Sequence, residues 1–154
     1  MEINVSLRDV QERDLRIFYE HQLDPDATRM AAFPARDYEA FMVHWEKGLG
    51  EETTILKTIV FQENVAGNIV SWDQSGKSYV GYWLGKEYWG KGIASAALSL
   101  FLTQVAKRPL FAHGAKHNAA SIRVLQKCGF ATFSEGTFSD PDGEEGDEFI
   151  MILE

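Results

Sequence analysis

Gly85-Lys86-Glu87-Tyr88-Trp89-Gly90-Lys91-Gly92-Ile93-Ala94 is the stretch on which the reading of this chain turns. Ahead of it, Tyr79-Val80-Gly81-Tyr82-Trp83-Leu84 is rich in aromatic and β-branched side chains and predicts a strand. Behind it, Ile93, Ala97, Leu100, Phe101 and Val105 recur at helical spacing, so a helix is expected from near Lys91. A glycine turn joining strand to helix leaves several backbone N–H groups unpaired at the positive end of the helix dipole. That arrangement binds phosphate oxygens without any special side chain. Gly90 and Gly92 lack a Cβ and would let a pyrophosphate approach the main chain closely.

Two familiar phosphate loops do not match. Gly85 to Lys91 follows G-x-x-x-x-G-K, but Gly92 stands where a P-loop needs Ser or Thr to hold magnesium. Gly90-Lys91-Gly92-Ile93-Ala94-Ser95 comes close to the dinucleotide fingerprint, yet it sits past the middle of the chain rather than in an opening βαβ unit.

The chain around the loop predicts one domain over residues 1–154, long enough for a single substantial core. Its 45% hydrophobic and 25% charged residues show no disordered or collagen-like bias. No apolar run is long enough to cross a bilayer, and Met1-Glu2-Ile3-Asn4 has no basic n-region or h-region, so a cytoplasmic location is expected. The single cysteine, Cys128, excludes an internal disulfide and a multi-cysteine zinc site. No histidine pair has ligand spacing beside a carboxylate, so no metal is expected. A formal charge of −8 argues against a nucleic-acid surface and favours a neutral or cationic partner.

In chain order, alternation at Ile3, Val5 and Leu7 predicts a strand. Leu15, Phe18, Tyr19 and Leu23 form the inner stripe of a helix that stops before Asp24-Pro25, and Asp24 to Arg36 reads as a loop with room for a helical turn. Asp37 caps a second helix with Tyr38, Phe41, Met42, Trp45 and Leu49 inward, ended by Gly48 and Gly50. Strands follow over Thr53–Phe61, Val65–Trp72 and Lys77–Leu84, then the glycine loop and a helix to about Lys107. A strand at Pro109–Ala115 precedes a helix opened by His117 or Asn118 and stopped by Gly129. Phe130–Phe138 and Glu148–Leu153 close a hairpin around Asp140-Pro141-Asp142-Gly143. The order β-α-α-β-β-β-α-β-α-β-β describes an α+β domain with a mixed sheet and helices on its faces.

The loop, this order and a second block, His117-Asn118-Ala119-Ala120-Ser121-Ile122-Arg123-Val124-Leu125-Gln126-Lys127-Cys128-Gly129-Phe130, together resemble the GNAT superfamily of N-acetyltransferases. Gly90-x-Gly92 matches that family's [QR]-x-x-G-x-[GA] coenzyme A loop, with Glu87 in place of its usual Gln or Arg. With Tyr82-Trp83-Leu84 and Trp89 to Ala94, the blocks look most like the branch of ribosomal-protein N-terminal acetyltransferases.

The resemblance implies a mixed, mostly antiparallel sheet with helices on both faces. It implies acetyl-CoA as cosubstrate, without metal, and direct attack of a primary amine on the thioester. The cofactor-binding residues would be Trp83, Leu84, Trp89, Gly90, Lys91, Gly92, Ile93, Ala94, Asn118 and Ser121. By the same analogy the Leu84 N–H polarises the thioester carbonyl, a donor worth roughly 2.7–4 kcal/mol in the transition state. The family's frequent tyrosine acid, seven residues past the Asn, is Leu125 here; Ser121 matches the serine that serves in the branch. Asn118 would bond the pantetheine. The general base stays open among His113, Asp73, Glu135 and a water chain. The acceptor is a small-molecule or peptide amine, pairing into a homodimer is common in such proteins, and an alternative is a non-catalytic acyl-CoA-binding module.

Several residues carry two readings. Trp89 either stacks near the cofactor or packs under the helix. Tyr38, Phe41 and Trp45 line an acceptor pocket or fill the core, with the core favoured. His21 and His44 read as surface or structural residues, Cys128 as a small buried hydrophobe, and the acidic run Asp140, Asp142, Glu144, Glu145, Asp147 either attracts a cationic amine or is a solvated tip, with the solvated tip favoured.

Overall fold

The computed structural model describes residues 4–31, 35–139 and 145–154. Seven strands form one sheet in the order β1-β2-β3-β4-β5-β7-β6. These are β1 (Val5–Asp9), β2 (Ile55–Phe61), β3 (Asn64–Gln74), β4 (Lys77–Leu84), β5 (Leu110–Ala115), β6 (Ala131–Ser139) and β7 (Glu145–Leu153). Every neighbouring pair is antiparallel except β4 and β5. Tight turns set the first hairpins: Gln62 and Glu63, then Ser75 and Gly76, all take positive φ, the geometry whose twist suits a two-residue hairpin loop. A bulge between Ile59 and Val60 leaves Ala66 of β3 unpaired.

Helices cover both faces. Helix α4 (Ile93–Gln104) and α5 (Ala119–Lys127) bury Ile93, Ala97, Leu98, Phe101 and Leu125 against Ile59, Ile69, Val80 and Leu84 of the sheet. On the opposite face α1 (Glu12–His21) and α3 (Tyr38–Leu49) pack Leu15, Phe18, Phe41 and Trp45 over Leu56, Val65 and Val70. Asp14 is wholly buried at the head of α1, where it closes a capping box with Gln11. Arg8 of β1 reaches it through two N–H···O bonds of 2.6 and 2.9 Å, and Thr58 of β2 donates at 2.8 Å.

The differences from the sequence reading have local causes. The loop expected after Asp24 contains a further helix, α2 (Pro25–Ala31). Asp24 accepts the N–H groups of Asp26 and Ala27, so Pro25 is the first residue of a helix and not its end. Helix α4 starts at Ile93 because Gly92 is left-handed, and its inner stripe takes Leu98 rather than Leu100, which is exposed. Leu23, Tyr38 and Leu49 are exposed too. The core reading of Phe41 and Trp45 holds, whereas Tyr38 is exposed and meets Tyr19 edge to face. Asp37 caps α3 as expected, accepting from the Ala40 N–H at 2.8 Å. Ile3 of the expected first strand and the hairpin tip Asp140, Pro141, Asp142 and Gly143 lie outside the described residues. Among the described residues no helix is long and apolar enough to cross a membrane.

Candidate active site

Among the described residues the only parallel neighbours, β4 and β5, pair at Ser78 with Leu110 and at Tyr79 with Phe111, and nowhere further along. Past that point Val80–Leu84 and Ala112–Ala115 become the two walls of a cavity of about 380 Å³. Its floor and rim come from Gly90, Gly92, Ile93, Ala94, Asn118 and Ser121.

Main-chain direction follows from one bond. Gly85 donates its N–H to Ala66 at 2.9 Å, while Leu84 stands opposite Gly67. Leu84 therefore belongs to the non-hydrogen-bonded class of antiparallel pairs, whose own N–H and C=O point away from the partner strand. Tyr82 and Val80 share its parity, so β4 presents a row of backbone groups to the gap that β5 has left. Gly67 permits this close pair, since an added Cβ would meet the Trp83 carbonyl oxygen at 2.0 Å. The Leu84 carbonyl is already occupied: the Trp89 indole N–H donates to it at 3.1 Å. Its N–H is the group aimed at the cavity.

The turn itself is a main-chain cradle. After a 3₁₀ turn at Lys86–Tyr88, Gly90 and Gly92 take φ of +74° and +78°. A Cβ built on Gly90 would have nothing within 4 Å, so the space above the turn is open. Ile93 and Ala94 begin α4 there, and no acidic residue occupies its first turn. Lys91 is exposed beside the lining glycines, Glu87 is exposed, and Trp89 is exposed along part of the cavity wall.

Opposite the turn, Asn118 caps α5. Its Oδ1 accepts the Ser121 N–H at 3.2 Å and its Nδ2 donates to the Met30 carbonyl at 3.2 Å. His117 contacts the Arg29 carbonyl at 2.8 Å, so the end of α2 is fastened to the start of α5 and Ala27 and Met30 become cavity wall. The Ser121 hydroxyl accepts a hydrogen bond from the Tyr82 hydroxyl at 3.1 Å. Burial pushes the Tyr82 phenol above its ordinary pKa, the bond to Ser121 draws it back in part, and the neighbouring Cys128 adds to the rise. Burial raises the Cys128 thiol as well. The Trp83 indole N–H is shut off from solvent with no hydrogen-bond partner among the described residues.

The three candidate bases separate. His113 lines the cavity, with Nδ1 3.2 Å from Glu148 Oε1 and its ring stacked on Tyr79. Asp73 is outside it, bonded to Ser78 at 2.7 Å and Lys107 at 3.1 Å, and Glu135 pairs with Lys116. His21 is half-buried against Gly85, and burial lowers its pKa. Among the described residues no group of three or more His, Cys, Asp or Glu is gathered to hold a metal.

Sequence reasoning missed Tyr82, Glu148 and the wall made by α2. Strand alternation pointed to the first, since Tyr82 and Leu84 share a parity. The Asp24-Pro25 pair signalled a helix start. Glu148 carried no signal, because its nearness to His113 arises only from the β5–β7 register.

A family model for an acetyltransferase (GNAT) domain matches residues 4–131. A comparison with curated protein sequences gave no match. Among solved structures, the spermidine N-acetyltransferase from Vibrio cholerae in complex with CoA and spermine superposes with a TM-score of 0.84 at 16% identity, covering 97% of this chain and 94% of its own. A putative phosphinothricin N-acetyltransferase gives 0.83 at 24% identity, covering 98% of both chains. The microcin C7 self-immunity acetyltransferase MccE, in complex with acetyl-CoA and AMP, gives 0.79 at 16% identity, covering 97% of this chain and 91% of its own. At these identities the likeness is one of fold: the mixed, mostly antiparallel sheet with helices on both faces.

Proposed function

The chain belongs to the acetyltransferase (GNAT) family, and on that premise we propose that it transfers an acetyl group from acetyl-CoA to a primary amine. The observation that carries the reading is the gap between β4 and β5, with the Leu84 N–H aimed into it beside an open glycine turn. The residues present suit the cosubstrate. Trp89 spends its own N–H on the Lys86 carbonyl at 3.1 Å, so the N–H groups from Gly90 to Ala94 would hold the diphosphate at the helix start, with Lys91 adding charge. The backbone row of Val80, Tyr82 and Leu84 would pair with the pantetheine amides as an added strand does. Asn118 keeps a second Nδ2 hydrogen for the same arm.

In this reading Leu84 polarises the thioester carbonyl and Ser121 protonates the departing sulfur. His113 takes the proton of the attacking amine. A proton on its Nδ1, held by Glu148, leaves Nε2 as the base. The similarity to the ribosomal-protein branch bears on Ser121, not on the acceptor, because fold and cofactor site do not choose it. Spermine, a free amino acid, a peptide N-terminus and an aminoglycoside define the panel to try. Self-association through the sheet edge is part of the proposal, checked by light scattering.

The test is direct. Acetyl-CoA at a hundred times its Kd should stabilise the fold by about 2.7 kcal/mol, ATP should not, and one amine of the panel should release free thiol. Absence of stabilisation by acetyl-CoA overturns the reading. Stabilisation with no thiol release from any amine favours the acyl-CoA-binding module.

A further inference from the structure

Ser121 alone is a poor acid, since giving up its proton would leave an alkoxide. A phenol, even one that burial holds above its ordinary pKa of about 10, is a far stronger acid than an aliphatic hydroxyl and so comes closer to a thiol at about 8.5. The Tyr82 hydroxyl donates to Ser121 Oγ at 3.1 Å, and both side chains line the cavity. A hydroxyl that accepts one hydrogen bond becomes a stronger donor of its own. Ser121 is held in place by its N–H bond to Asn118, and Tyr82 by its position on β4 opposite Ile69.

We infer that Tyr82 acts through Ser121 as the proton reservoir for the departing thiol, a role that rests on the acetyl-transfer reading. As the carbon–sulfur bond breaks, its electron pair stays on sulfur. The Ser121 proton passes to sulfur and the Tyr82 proton passes to Ser121 Oγ. The phenolate then recovers a proton from solvent, which has received the one lost by the amine through His113. The tyrosine acid that the family places on the helix is thus replaced by one on the strand, with serine as the bridge. Cys128 is a titratable neighbour of Tyr82, and burial raises its thiol as well.

Two measurements test this separately from acetyl transfer itself. With carbon-13 at the tyrosine ζ carbons, CoA used as the probe should shift the Tyr82 resonance in the wild type and not in Ser121→Ala. An equal shift in both, or in neither, overturns the relay whether or not any amine is acetylated. On an amine that supports turnover, Tyr82→Phe should lower kcat by roughly tenfold to a hundredfold, less than the 10²–10⁴ typical of a general acid, with KM for acetyl-CoA unchanged. The double variant with Ser121→Ala should be no slower than Ser121→Ala alone, as expected of groups acting as a unit. Losses that multiply, or a raised KM with kcat intact, would make Tyr82 a packing residue and nothing more.

Discussion

The two faces of the sheet are built by different means. Beneath α4 and α5 lies a broad apolar layer, and the donor side of the cavity above it draws on main chain: the row on β4, the glycine turn and the start of α4. Beneath α1 and α3 the layer is smaller, centred on Leu15, Phe18, Phe41 and Trp45, and the buried Asp14 ties its edge to Arg8 and Thr58. A site made of backbone needs only a fold and a few glycines. A site made of side chains needs each of them brought from a distance. The first kind fixes a common donor; the second is free to vary with the acceptor.

The sharpest way to break this contrast is to hollow out the larger layer. Phe101 is fully buried there, and Phe101→Ala should cost about 3–5 kcal/mol in denaturant unfolding, with a loss nearly independent of pH. The smaller layer should instead be acid-sensitive. Burial alone would raise the Asp14 pKa, but the Arg8, Gln11 and Thr58 hydrogen bonds outweigh it and hold the carboxyl below 3.8. Its contribution is therefore complete above that value and lost as pH falls through the lower folded pKa. Asp14→Ala should cost about 3 kcal/mol at neutral pH, the low end for breaking a buried pair because Arg8 keeps one side in water. Asp14→Asn should flatten the acid limb of the stability curve. An unchanged limb would mean that other carboxylates control it.

The same division explains what could be read in advance. From Lys77 to Leu125 the lining is nearly continuous in sequence: the glycine turn marked Gly90 and Gly92, the resemblance to the family pointed to Leu84, Asn118 and Ser121, and all five line one cavity. The other side escaped for physical reasons. Glu148 meets His113 only through strand pairing, and Met30 reaches the cavity only because His117 and Asn118 hold the carbonyls at the end of α2. Pro25 looked like a stop because proline ends helices from inside but starts them from the first position. Tyr82 shares the parity of Leu84, but its hydroxyl finds Ser121 only through the packing of α5 on β4.

Smaller effects should sharpen the comparison on the donor side. Gly90→Ala and Gly92→Ala each force a side chain into a left-handed conformation, a cost of roughly 1–2 kcal/mol. At Gly90 the new Cβ meets no protein atom, so its stability loss is purely backbone. Any further weakening of acetyl-CoA binding, measured as a lost thermal shift, must then come from the ligand's side of the turn. A Gly90→Ala protein that keeps the full shift would remove the diphosphate from this loop.

The smallest effect concerns an ion pair between the glycine turn and α2. Lys86, at the start of the 3₁₀ turn, pairs with Asp26 of α2, and both side chains are about half exposed. Such pairs add little to global stability, so Lys86→Ala should leave the unfolding midpoint unchanged. The pair has a local consequence instead. Asp26 lies near the start of the helix whose Ala27 and Met30 wall the cavity, while the far end is already held by His117 and Asn118. Freeing the near end should raise KM for the acceptor amine a few-fold and leave KM for acetyl-CoA alone. Raising the salt should bring the wild type toward the variant, because an exposed pair is screened. If both KM values rise together, α2 serves the donor as much as the acceptor, and the division drawn between the two faces fails at this helix.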